Sequence, residues 1–132
     1  MDTKTIKRIV SEGTEVDLNN QDLNKKRTTK LVDARRIYYT LCRDYTTLSL
    51  AEIGMTIKPY KNHATVLHNI REHANNHKHC KVYRNTFNVV QGMVENARNQ
   101  VEDAQIDLFT ALAIIKQTKE QNEKLLEENK KL

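Results

Sequence analysis

A chain of 132 residues with 38% hydrophobic and 5% aromatic side chains has the makings of one modest core and much solvated surface. Its net charge of +5 is uneven: residues 1–92 hold 16 Lys and Arg against 9 Asp and Glu, net +7, and residues 93–132 hold 6 against 8, net −2. A polyanion therefore suits the front and a different partner the back. No apolar run approaches the ~20 residues of a membrane span, and no apolar signal stretch opens the chain, so the expected location is the cytoplasm. The pattern G-x-x-x-x-G-K-[ST] is absent and the chain holds 3 glycines, so no ATPase activity and no other enzyme activity is expected.

In chain order, Thr3 to Val10 reads as a short helix stopped near Gly13, and Asp17 to Leu23 as a brief second one. Lys25, Lys26, Arg27 and Lys30 form a basic approach to a longer helix, Leu31 to Tyr45. Leu31, Ala34, Tyr38, Leu41 and Tyr45 recur there at helical period and predict one buried stripe, with Arg35, Arg36 and Arg43 on the opposite face.

Ser49 and Glu52 then form a capping box, with Leu50, Ile53 and Ile57 as the apolar face of a helix that Pro59 ends. Asn62 caps the next helix, placing His63, Ala64 and Thr65 in its first turn and Val66, Leu67 and Ile70 inward. This is the pattern of a helix-turn-helix whose second helix meets base edges in a DNA major groove. By spacing alone, an ordinary αα-hairpin fits equally well.

Cys42 and Cys80 suit a reducing compartment, Cys42 as a core thiol. Cys80 with His73, His77 and His79 lacks the spacing of a complete zinc set, so no metal and no other cofactor is expected.

From Phe87 onward apolar residues repeat every seven positions. Phe87, Val94, Val101, Leu108, Ile115, Asn122 and Asn129 take position a, and Val90, Ala97, Ala104, Ala111, Thr118, Leu125 and Leu132 take position d. These 46 residues would span about 69 Å as one helix, too long to fold back along its whole length onto so small a domain. A coiled-coil homodimer is expected, with Val94, Val101, Leu108, Ile115, Asn122 and Leu125 in its seam and Gly92 bending the junction. A lone frayed helix, or docking onto another protein, also fits. The expected domains are 1–90 and 91–132.

From Ile6 to near Val90 the chain resembles the C-terminal DNA-binding domain (domain IV) of DnaA, the bacterial replication initiator that binds the short origin repeats called DnaA boxes. The likeness is carried by KKRTTKLVDARR, YYTLCRDYTTLSLAEIG and NHATVLHNIR. The family's G-R-D-H-T-T-V-L-H stands here as Y-K-N-H-A-T-V-L-H, and its S-L-P-E-I-G as S-L-A-E-I-G. The resemblance implies an all-α helical bundle with a helix-turn-helix, followed here by the long C-terminal coil, and double-stranded DNA as partner. It implies Arg27 in a minor groove, Lys25 on the DNA backbone, and Arg35, Arg36 and Arg43 on phosphates or nearby bases. His63 and Thr65 would touch bases or adjoining backbone, and His68 is expected to pack inside or cap the domain.

The chain departs from the family at Lys61, Asn62 and Ala64. An aspartate accepts hydrogen bonds and suits cytosine, whereas asparagine also donates and suits adenine N6 and N7. The expected site is a DnaA box altered at the base that Asn62 reads, with discrimination of about 1–3 kcal/mol there. The leading reading is a dimeric sequence-specific binder in replication initiation control or transcription regulation. Two others stand beside it. One is a phage or mobile-element decoy for host boxes, with the initiator or another host replication protein as partner. The other is a structural or assembly protein whose coil binds a protein and whose basic head anchors nucleic acid non-specifically.

Overall fold

A computed structural model of the protein describes residues 1–20 and 28–130, apart from the side chains of residues 106, 107, 118 and 120–130. Regular structure among the described residues is helical: α1 (Thr3–Thr14), α2 (Thr29–Tyr45), α3 (Leu50–Gly54), α4 (His63–His79) and α5 (Lys81–Lys130). The chain forms two compact units, Met1–Glu95 and Asn96–Leu132.

Helix starts follow local chemistry. Asp2 Oδ1 accepts the Thr5 N–H at 2.9 Å, Thr28 Oγ1 accepts that of Leu31 at 3.4 Å, and Ser49 and Glu52 complete a reciprocal capping box. α1 runs through Gly13 to Thr14, and the left-handed cap falls on Glu15 at φ 58°. Gly13 lies inside the helix where α5 packs close: a Cβ there would stand 2.6 Å from Val90 Cγ2. Asp17 to Asn20 is a turn, closed by Asn20 N–H donating to the Asp17 carbonyl at 3.2 Å, not the start of a helix. The remainder of that expected helix, with Lys25, Lys26 and Arg27, lies outside the described residues.

In the first unit α2 packs on α1, α3 and α4. Its buried residues are Leu31, Ala34, Ile37, Tyr38, Tyr39, Thr40, Leu41 and Cys42, a band wider than one stripe. Tyr45, expected to be buried, is partly exposed at the end of α2, where its hydroxyl donates to the Glu95 carboxylate. Ile6, Val10, Ile53, Val66, Val90 and Val94 complete the core. Each such side chain stabilises the fold by about 1.5–3 kcal/mol on burial. Burial pushes the Cys42 thiol up to about 12, which keeps it an inert core group.

Val94 is fully buried in this unit, so it belongs to the head's core and not to a seam available for pairing. The same holds for Phe87 and Val90, and the unit extends to Glu95, past the expected boundary at residue 90. α5 continues through Gly92 as helix, where a bend was expected. In the second unit Val101, Leu108 and Ile115 are each more than half exposed, while the side chains of Asn122 and Leu125 lie outside the described residues. Among the described residues no helix is long and apolar enough to cross a membrane.

Candidate nucleic-acid interface

The interface is built on α3, the turn after it, and the start of α4. α3 is a helix of 5 residues ending at Gly54, short of Pro59, because Met55 and Thr56 donate to the carbonyls of Glu52 and Ile53 at 3.1 Å and tighten the chain into a turn. Gly54 is buried against the far end of that turn. The Lys61 N–H donates to the Gly54 carbonyl at 2.9 Å, and a Cβ on Gly54 would fall 2.0 Å from the Lys61 carbonyl oxygen. The turn is also held from behind. Tyr38 Oη and Thr56 Oγ1 are hydrogen-bonded at 2.7 Å, and Lys7 Nζ donates to the Thr56 carbonyl at 2.8 Å.

α4 begins at this clamp. Asn62 is its N-cap, with Oδ1 accepting the Thr65 N–H at 2.9 Å. Asn62, His63 and Ala64 are exposed, and Lys61 and Thr65 are partly exposed, so five of the expected contact residues sit together at the amino end of the helix. Val66 and Ile70 hold the other face against the core, with Leu67 partly buried beside them. His68 is exposed, contrary to expectation. It lies about 200° around the helix from Val66, away from the packed face. With Ala64, Arg71, Asn75 and Lys78 it forms a continuous exposed stripe at spacings of four and three. Sequence reasoning missed Arg71, although the spacing that exposes it was readable.

The arginines of α2 are less open than an outward basic face would be. Arg43 is exposed, with Nε 3.1 Å from the neighbouring Asp44 carboxylate. Arg35 and Arg36 are partly buried and their Nε atoms are enclosed. Arg36 lies near Asp33, Tyr83 and His73, where α2, α4 and α5 meet, and its charge bears on all three. Lys25 and Arg27 lie outside the described residues.

The carboxyl half of α4 is fixed by an aromatic cluster. The His73 ring stands 4.4 Å from that of Phe87, and its Nδ1 is hydrogen-bonded to the Tyr83 hydroxyl at 2.6 Å. Burial first, then the neighbouring His77, hold His73 down at about 4. Among the described residues no group of three His, Cys, Asp or Glu side chains could hold a metal ion. His79 and Cys80 are exposed at the end of α4.

A short capped helix, a clamped turn and a second helix with an open polar start are the parts of a helix-turn-helix. Residues 3–72, just over half the chain, match the family described as the bacterial DnaA protein helix-turn-helix. The chain belongs to the DnaA helix-turn-helix family. Its first unit is a DNA-binding module of the domain IV type, all-α, with double-stranded DNA as partner. No curated protein and no solved structure is significantly similar to it. The DnaA match stops at residue 72, short of Val90, yet Tyr83, Phe87, Val90 and Val94 of α5 are buried in the same unit.

Proposed function

We propose that this protein is a sequence-specific binder of double-stranded DNA at DnaA-box-like sites, acting without ATPase activity in the control of replication initiation or of transcription. The observation that carries the reading is the amino end of α4, where Asn62, His63 and Ala64 stand exposed on a helix start that Gly54 and Lys61 clamp. His63 and Thr65 offer polar groups to base edges, and the Ala64 methyl suits the thymine C5 methyl. His68 and Arg71, further along the stripe, extend the reading toward the phosphates flanking the groove.

The cap refines the role of Asn62. With Oδ1 engaged by the Thr65 N–H, its remaining group is the Nδ2 donor, which suits purine N7 more than a bidentate grip on adenine. A donor replaces the family's acceptor, so the preferred box differs from the family's at that base, by about 0.5–1.5 kcal/mol for one hydrogen bond. Arg27 in an adjoining minor groove, and Lys25, Arg35, Arg36 and Arg43 on or near phosphates, complete the proposed footprint.

The second unit supplies pairing. Val101, Leu108 and Ile115 at position a and Ala104 and Ala111 at position d are exposed in the single chain, and a second copy would bury them. Asn122 and Leu125 continue the repeat. One observation favours a second reading: Phe109, Leu112 and Ile114 lie outside the a and d positions and are also more than half exposed. They suit a protein partner enclosing this helix, as in an assembly protein whose head anchors nucleic acid non-specifically.

Selection of duplexes from a random pool, with the intact chain and with one ending at Glu95, tests both readings. The proposal expects a box-like motif from both chains, paired at fixed spacing only with the intact one. Enrichment of no motif favours the assembly reading.

A further inference from the structure

Beside the start of α4 lies a cleft of about 290 Å³ lined by Lys7, Leu18, Asn19, Met55, Thr56, Lys58 and Tyr60. Among the described residues no acidic side chain lines it. Tyr60 stands 51% exposed on the turn between α3 and α4, and the Lys58 ammonium lies 5.9 Å from the centre of its ring. Lys7 spends one N–H on the Thr56 carbonyl at 2.8 Å and keeps two more donors. Two ammonium groups, a phenol and a side-chain amide therefore border one cleft, the donor set of an anion site. The position also departs from the DnaA signature, which has glycine where this chain has Tyr60.

We propose that Lys58 and Tyr60, with Lys7 behind them, bind a backbone phosphate of the DNA next to the base pairs that α4 reads. The proposal rests on the DNA-binding reading of α4 and adds a contact that a glycine could not make. Its location argues for a duplex phosphate. Tyr60 is two residues before the Asn62 cap, and in helix-turn-helix docking the elements preceding the recognition helix lie along the sugar-phosphate backbone. Among the described residues Lys58 has no acidic partner, and the aromatic ring beside it holds its charge at the surface, available to the phosphate. Such a contact fixes register on the duplex and carries no base information.

The test uses the intact protein, a duplex enriched by it from a random pool, and fluorescence anisotropy across a series of NaCl concentrations. Lys58→Gln is expected to lower the slope of log K against log salt by about one and leave the base preference unchanged. Tyr60→Phe, which removes only the hydroxyl, is expected to weaken binding about two- to tenfold. Tyr60→Gly is expected to weaken it at least as much. Melting curves matching the parent protein's establish that these exposed changes leave the fold intact. Unchanged affinity and salt slope in both Lys58→Gln and Tyr60→Phe would overturn the phosphate site while leaving the reading of α4 standing. Failure of the parent protein to bind any duplex would overturn both. If the parent binds all duplexes alike, the specific reading of α4 fails, and the salt slopes still decide the phosphate contact.

Discussion

Gly54 and Lys61 close the turn between α3 and α4 from both directions: the Lys61 N–H donates to the Gly54 carbonyl, and the Lys61 carbonyl sits where a Gly54 side chain would be. A backbone oxygen cannot swing aside as a side-chain tip can. Gly54→Ala is therefore expected to destabilise the first unit by about 1–3 kcal/mol or more, as overpacking does. Duplex binding should be lost with it. A thermal melt and an anisotropy titration check this, and a variant with unchanged melting would show that the turn is looser than described.

Asn62 joins a structural and a recognition role, and two substitutions separate them. Asn62→Ala removes the acceptor for the Thr65 N–H and should cost about 1 kcal/mol of stability. Asn62→Asp keeps the acceptor and adds a charge that favours a helix start, so stability should hold or rise by a few tenths of a kcal/mol. Its selected DNA motif should change at one base pair. An identical motif for Asn62→Asp and the parent would remove Asn62 from base reading and leave it a cap alone.

His73 makes the head acid-sensitive. In the folded protein its pKa is lowered from the ordinary 6.5 to about 4, chiefly by burial. Between those values the unfolded chain holds the extra proton, so stability is fully present above pH 6.5 and falls as pH drops toward 4. His73→Gln cannot titrate there. Urea midpoints measured from pH 7.5 to pH 5 should fall less for the variant than for the parent. Parallel pH profiles would rule out this role.

Glu15 occupies a left-handed conformation at the end of α1, where glycine is most at ease. Its exposed ion pair with Lys30, at 3.6 Å, contributes little. Glu15→Gly is expected to stabilise the protein by about 0.5–1 kcal/mol, read as a higher melting temperature. A lower one would mean that the Lys30 contact outweighs backbone strain.

What the sequence disclosed was local. The Ser49 and Glu52 box and the Asn62 cap are written within three or four residues, and both form as read. Helix ends were less legible: α1 reaches Thr14, one residue beyond the glycine near which it was expected to stop, and α3 ends at Gly54, short of Pro59. Gly13 stays helical with Val90 packed against it, and after Gly54 the Met55 and Thr56 N–H groups turn the chain so that Lys61 returns to the glycine. His68 is exposed because it stands two residues from both Val66 and Ile70, about 200° around the helix, so the period that turns those two inward turns His68 outward, and the expectation that it packs inside did not follow that period. The seven-residue repeat does not say what covers it. Phe87, Val90 and Val94 satisfy it inside their own chain, whereas Val101, Leu108 and Ile115 are exposed, and the period is identical in both stretches.

The paired grip of Lys7 and Tyr38 on Thr56 has a thermodynamic corollary. Two scaffold helices, α1 and α2, hold the turn before any DNA arrives, so little conformational entropy remains there to be lost on association. The head should dock nearly as a rigid body. Loosening the grip at Lys7, 49 residues from Thr56 in sequence, would then weaken DNA binding through disorder in the free protein.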